Sequence, residues 1–149
     1  MRAVVQRVSE ARVTVDGAIV GAIEHGLCVL LGVGHADREA DADALCRKII
    51  TLRIFQDDTG KFARSIEEVH GALLVISQFT LFADTSAGRR PSFSAAAPAP
   101  QAEALYERFV AQARQGPVPV ATGRFGARMA VSLVNDGPVT LVLDTGAAS

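Results

Sequence analysis

Alternation of apolar and polar positions opens the chain. Val4, Gln6 and Val8 alternate with Val5, Arg7 and Ser9, and Val13 and Val15 carry the period of two up to Asp16-Gly17. That pattern predicts a strand followed by a hairpin turn. Residues 18–23 return as a strand, and residues 27–33 form a continuous apolar run suited to a central strand, ended by Gly32 and Gly34. From Asp37 to about Phe55 the period changes. Ala42, Leu45, Cys46, Ile49, Ile50 and Leu52 make one apolar stripe of a helix, with Asp37 as its N-cap. Asp57-Asp58-Thr59-Gly60 reads as a turn and residues 72–79 as a second buried strand. A loop rich in Ala, Ser, Gly and Pro occupies residues 83–100, a length that within a domain is usually functional or disordered. A second helix follows from about Pro100 to Gln115, stopped by Gly116-Pro117. Strands at 127–134 and 139–143 then flank Asn135-Asp136-Gly137-Pro138. Strands interrupted by two helices, with hairpin-linked neighbours, predict an α+β or mixed-sheet α/β domain.

Length and composition narrow the picture. The 149 residues suit one domain, and 49% hydrophobic with 21% charged residues excludes intrinsic disorder. No apolar run approaches the ~20 residues needed to cross a bilayer, and Met1-Arg2 leads into a strand pattern rather than a signal core. The expected location is the cytoplasm. A net charge of −1 argues against a large phosphate footprint of the kind that coats nucleic acid, while leaving room for a few nucleotides at one end. Cys28 and Cys46 lie in apolar surroundings and read as reduced core residues. His25 and Cys28 have two-ligand spacing with no second pair to complete a metal site, and no metal or other cofactor is expected.

Four segments carry candidate chemistry. Ser77-Gln78-Phe79-Thr80 ends a buried strand, placing two hydroxyls and a carboxamide where open sheets often bind ligands. If the chain bends there, the Phe79 and Thr80 backbone N–H groups are freed to hold an oxyanion; the alternative is an ordinary polar strand end. No His, Asp or Glu is near in sequence to act as base, so no triad is legible. Asn135-Asp136-Gly137-Pro138 reads as a hairpin turn, or else as a cis Gly-Pro bond that turns two carbonyls outward. Gly88-Arg89-Arg90-Pro91-Ser92-Phe93 offers two guanidinium forks suited to phosphate, or a solvated basic loop. In Thr122-Gly123-Arg124-Phe125-Gly126-Ala127-Arg128-Met129, Phe125 and Met129 are placed to sandwich a base or to pack in a core.

Together these segments resemble the D-aminoacyl-tRNA deacylases, the D-Tyr-tRNA(Tyr) deacylase family. Ser77-Gln78-Phe79-Thr80-Leu81 and Asn135-Asp136-Gly137-Pro138-Val139-Thr140 match its two signature motifs. Gln6-Arg7-Val8, Arg90-Pro91-Ser92-Phe93 and Thr122-Gly123-Arg124-Phe125 support them. The resemblance runs from Met1 to about Thr145, with Ala87 departing from the basic residue more usual before Gly88. It implies a single deacylase domain over residues 1–145, with a frayed tail at 146–149. The implied fold has a β-barrel-like sheet and two main helices, in a homodimer whose sites lie at the subunit interface. Gly137-Pro138, cis in the family, would enter the partner's pocket and exclude L side chains, braced by Arg7. Glycine mischarged on tRNA would pass the same filter. Phe125 and Met129 would lie against the terminal adenosine, with Arg89 and Arg90 on tRNA phosphates. Ser77, Gln78, Phe79 and Thr80 would form the reaction centre. Either Thr80 attacks the ester, or the adenosine 2′-hydroxyl positions or activates water; the lack of a base beside Thr80 favours the second. The partners implied are the aminoacyl-tRNA 3′ end and a second copy of the chain, with no DNA, membrane or cofactor. Two other classes stay open: a nucleotide-binding module without turnover, and a general Ser/Thr esterase or peptidase.

Overall fold

A computed structural model describes residues 1–146; of the tail expected at 146–149, residues 147–149 lie outside the described residues. Strand β1 (Arg2–Val15) and strand β2 (Ala18–Ile23) are joined by Asp16 and Gly17, with φ of 49° and 78°. Positive φ at both central residues makes the tight turn whose twist suits a hairpin. Strand β3 (Gly26–Gly32) continues where β2 stops. β1 pairs antiparallel with β2 through residues 11–15 and with β3 through residues 2–8, so the two lie end to end along one edge of β1. Strand β8 (Ala130–Asp144) runs antiparallel along the other edge, from Arg2 opposite Asp144 to Thr14 opposite Ala130. Strand β6 (Ala72–Ser77) pairs parallel with β3, and the short β7 (Val120–Thr122) pairs parallel with β6. Helices α1 (Glu39–Thr51) and α2 (Ala99–Ala113) lie in the crossovers, and β4 (Phe55–Gln56) with β5 (Phe62–Arg64) makes a separate two-stranded ribbon.

The sheet is mixed and curls until β7 reaches β2, giving a nearly closed barrel. A Cβ on Gly21 would lie 2.1 Å from the Thr122 carbonyl oxygen, so only glycine permits that approach. The curl creates two cores. Val8, Val13, Ile23, Cys28, Leu74 and Ile76 fill the space enclosed by the sheet. On its other face Val5, Val29, Leu73 and Val75 pack with Leu45 and Ile49 of α1 and Leu105 and Phe109 of α2. β3 and β6 are therefore buried on both faces, which explains their unbroken apolar runs. Burial holds the Cys28 and Cys46 thiols protonated, each pushed up to about 11.

Several expected boundaries move. The first helix starts at Glu39 with Arg38 as its N-cap residue, and the Asp41 carboxylate accepts the Arg38 N–H at 2.8 Å. Asp37 is not the cap: its carboxylate pairs with the Met1 ammonium and accepts the Gly34 N–H at 2.6 Å, so a full charge displaces helix N–H groups as its partner. The helix ends at Thr51, and Phe55 belongs to β4. The simple alternation of β1 breaks near Ser9, where register shifts move burial from Val5 and Arg7 to Val8, Ala11 and Val13. The largest correction concerns residues 127–143. They form no hairpin: residues 127–129 precede the strand, and one strand, β8, continues on both sides of a bulge at Asp136-Gly137-Pro138, because both halves find the same partner in β1. No described helix is long and apolar enough to cross a membrane.

Close approach between β3 and β6 makes a checkable demand. A Cβ on Gly26 would lie 1.8 Å from the Ala72 carbonyl oxygen, whereas one on Gly17 meets nothing within 4 Å. Gly26→Ala is expected to lower unfolding free energy by about 3 kcal/mol. Gly17→Ala should lose only about 1–2 kcal/mol, from left-handed backbone. Urea denaturation of both variants checks the contrast.

Candidate functional site

β6 ends at Ser77, two residues before the end expected at residue 79, and the chain bends there, which is the conditional alternative at its polar exit. The Gln78 N–H makes a last bond to the Leu31 carbonyl at 2.8 Å, and the chain then enters a 3-10 helix, Phe79–Phe82. Glycines at the exit of β3 admit this turn: a Cβ on Gly32 would sit 3.0 Å from the Gln78 carbonyl oxygen and 3.1 Å from the Phe82 ring. Arg2 ties down the far end, donating to the Leu81 carbonyl at 2.7 Å and to Asp144 at 2.9 Å, with its guanidinium 4.7 Å from the Phe82 ring centre. The Phe79 and Thr80 N–H groups donate to no other described group, as befits the first donors of a helix. Thr80 is exposed, and its hydroxyl oxygen accepts from the Gln78 carboxamide. That partner is a donor and cannot take a proton.

Ser77, Gln78 and Phe79 form one wall of a cavity of about 550 Å³, within the usual range for small-ligand sites. Phe125, Ala127 and Met129 form the opposite wall. The segment is a turn, with the Ala127 N–H donating to the Arg124 carbonyl at 3.2 Å; Phe125, Ala127 and Met129 are half-buried, while Arg124, Gly126 and Arg128 are exposed. A Cβ on Gly123 would lie 2.6 Å from the Met129 sulfur, so glycine makes room for that side chain. Phe125 packs against Tyr106 of α2 with ring centres 6.1 Å apart. The buried Tyr106 hydroxyl donates to the Val75 carbonyl at 2.7 Å, and burial raises its pKa to about 12. Phe93 also lines the cavity, edge-to-face with Phe79 at 5.2 Å. The 83–100 loop is ordered by Asp84 and Ser92, whose backbones exchange bonds of 2.8 and 2.9 Å. Arg89 and Arg90 sit exposed within the stretch so closed.

The second signature segment takes an unanticipated form. Gln6 pairs with Thr140 and Val8 with Asn135, so a two-residue step on β1 faces a five-residue step on β8. The surplus is extruded as a bulge carrying Asp136, Gly137 and Pro138, all exposed, with the Gly137-Pro138 bond cis. Gly137 has φ of 130°, which favours glycine, and a Cβ there would meet an Arg7 Nη2 at 2.9 Å. Arg7 is 5% exposed; its Nε donates to the Asp136 carbonyl at 3.1 Å and its Nη1 to the Ile54 carbonyl at 2.8 Å. Sequence reasoning missed the clamp at the bulge's neck. The Asn135 carboxamide accepts the Val139 N–H at 3.1 Å and donates to the Thr140 hydroxyl at 2.9 Å. The polar pair was visible beside Gly137-Pro138, yet reading it as a hairpin end concealed its role.

Within one chain, then, Ser77, Gln78, Phe79, Phe125 and Met129 share one cavity. Thr80 lies beyond its lining, and so do Arg7, Gly137 and Pro138, as well as Arg89 and Arg90.

Residues 4–144 match the family model described as D-Tyr-tRNA(Tyr) deacylase. A D-aminoacyl-tRNA deacylase of Roseiflexus castenholzii is 57% identical over 145 residues, 97% of this chain and 92% of that protein. One of Geobacter sulfurreducens is 56% identical over 149 residues, covering 100% and 98%. Among solved structures, a c-Myc DNA unwinding element binding protein superposes with a TM-score of 0.93 at 43% identity, covering 99% of this chain and 100% of the other. A probable eukaryotic D-amino acid tRNA deacylase shares the fold at a TM-score of 0.79 and 18% identity, covering 95% and 97%.

Tyr106 links the helix layer to the cavity and can be tested alone. Tyr106→Phe leaves the Val75 carbonyl only the longer bond from the Gly123 N–H, at 3.3 Å. Unfolding free energy is expected to fall by about 1–2 kcal/mol, measured by chemical denaturation.

Proposed function

The chain belongs to the D-Tyr-tRNA(Tyr) deacylase family and is a hydrolase of D-aminoacyl-tRNA, and from that premise we propose how its residues perform the reaction. Residues 1–145 act as one deacylase unit. Phe125 and Met129 hold the terminal adenosine in the cavity between them and the β6 exit, and Arg89 and Arg90 meet phosphates of the tRNA end. The ester carbonyl lies at the Phe79 and Thr80 N–H groups. Water adds to its carbon, those donors hold the oxyanion, the bond to the ribose 3′-oxygen breaks, and that oxygen leaves with a proton. The products are a free D-amino acid and tRNA.

The adenosine 2′-hydroxyl, rather than Thr80, activates or positions the water. The Thr80 hydroxyl accepts from the Gln78 carboxamide and has no base among its described partners, and an unassisted threonine is a poor nucleophile near neutral pH. The vicinal 2′-hydroxyl is already held beside the ester by covalent bonds. Gln78 and Ser77 shape the reaction centre.

The observation that carries the stereochemical part is the separation of the two signature segments. The Gly137-Pro138 bulge is exposed and forms no part of its own chain's cavity, although Arg7 holds it firmly. A second copy of the chain supplies the missing half: the bulge of one subunit enters the site of the other. Its carbonyls there accept the substrate's α-amino group and occupy the space an L side chain would need. Glycine, with no side chain, passes, so mischarged glycyl-tRNA is a second substrate. A protein of this kind works beside the translation machinery in the cytoplasm.

Hydrolysis of D-Tyr-tRNA, L-Tyr-tRNA and a simple ester separates the readings. Release from D-Tyr-tRNA alone is expected; cleavage of none supports a binding module, and cleavage of the simple ester a general esterase. Thr80→Ala should keep substantial turnover, short of the about 10²–10³ loss that follows removal of an oxyanion donor. A substrate lacking the 2′-hydroxyl should react far more slowly. A dead Thr80→Ala variant that still binds substrate, with normal turnover of the 2′-deoxy substrate, would make Thr80 the nucleophile. Sedimentation should give twice the 15.6 kDa chain mass.

A further inference from the structure

The ribbon of β4 and β5 pairs only with itself, and it carries an aromatic residue, Phe62, that is 54% exposed. Single exposed apolar side chains are ordinary. Phe62 differs in what lies beneath it: the Arg7 guanidinium, its carbon 5.5 Å from the ring centre. Residue Ile54, at the root of the same ribbon, supplies the carbonyl that accepts from Arg7 Nη1 at 2.8 Å. Two contacts of the guanidinium thus come from the ribbon. Its others go to the bulge, through the Asp136 carbonyl at 3.1 Å and the Asp136 carboxylate at 3.6 Å.

We infer that Phe62 is a positioning residue for stereochemical selection, acting through Arg7; the inference rests on the proposed role of the Gly137-Pro138 bulge as the filter. The physical case is one of constraint. A long arginine side chain has many rotamers, and hydrogen bonds to one side alone leave it free to swing with the bulge it should hold. A ring against the guanidinium and a carbonyl behind it anchor the group to a second element. The attraction between cation and ring strengthens where water is excluded, as at the buried Arg7. Gly137 rests directly against that group, so small movements of Arg7 reach the filter. A chirality filter works by excluded volume, and tolerates such movement poorly.

A double-mutant cycle tests this on the full-length protein, reading kcat/KM for D-Tyr-tRNA and for L-Tyr-tRNA. Phe62→Ala is expected to narrow the preference for the D substrate by about fivefold to tenfold, the effect of losing one partly desolvated cation–aromatic contact. Phe62→Tyr, which keeps the ring, should restore it. In an Arg7→Gln background, Phe62→Ala should narrow the preference no further, since the residue it acts through is gone. An unchanged preference in Phe62→Ala overturns the inference, and so does a loss that persists in full in the Arg7→Gln background. If Arg7→Gln alone keeps the full preference, the filter reading itself fails and the inference falls with it.

Discussion

One strand with two occupied edges governs this molecule. β1 pairs with β2 and β3 on one side and with β8 on the other, and between Thr140 and Asn135 the β8 chain is longer than the stretch of β1 it faces. Strong pairing on both flanks of that mismatch leaves the surplus no place in the sheet, and it must protrude. The polar groups so displaced still need partners. Asn135 and Thr140 close the neck, and Arg7 reaches from β1 to the Asp136 carbonyl. A buried arginine is costly unless its donors are met, so the carbonyls of Asp136 and Ile54 hold Arg7 as much as Arg7 holds them.

The nearly closed sheet sets the cavity on the same logic. Its curl needs backbone to approach backbone, and glycine stands where that happens, at Gly21 against Thr122 and Gly26 against Ala72. Once the sheet curls, the ends of β6 and β7 open toward one rim. The bend at Gln78 and the segment from Phe125 to Met129 then face each other across the cavity. Tyr106 joins this rim to the helix layer, so the position of Phe125 depends on the packing of α2 as well as on its own segment.

The site is poor in acid–base groups. Among the described residues, the nearest chemistry to the β6 exit is amide, hydroxyl and backbone N–H, and the buried thiols of Cys28 and Cys46 are pushed up to about 11, out of nucleophilic range. An aminoacyl ester is already a reactive substrate. In the mechanism we propose, placement and oxyanion donors address what remains, while selection between mirror images falls to the backbone of the Gly137-Pro138 bulge. On that proposal, the rigidity that Arg7 gives the bulge through the Asp136 and Ile54 carbonyls bears on selection rather than on the chemical step.

Much of this was legible along the chain. The unbroken apolar runs of β3 and β6, the Asp16-Gly17 turn and the helical stripes follow from local burial periods that any partner would satisfy. The polar exit of the second buried strand was visible, but the strand stops at Ser77 rather than at Phe79, and the bend there was only one of two readings. Family membership was legible too, because two short motifs in order are hard to meet by chance. What the sequence could not decide were matters of competition between distant groups. Asp37 looks like a cap until the Met1 ammonium arrives. Asn135 to Pro138 looks like a hairpin turn until both halves of β8 find the same edge of β1. The alternation of β1 gives no hint that its odd-numbered positions pass from the helix-facing core to the enclosed one near Ser9, nor that Phe62 lies over Arg7. A local pattern specifies which face a residue would bury; which neighbour claims it is settled only when strands remote in sequence compete for one edge.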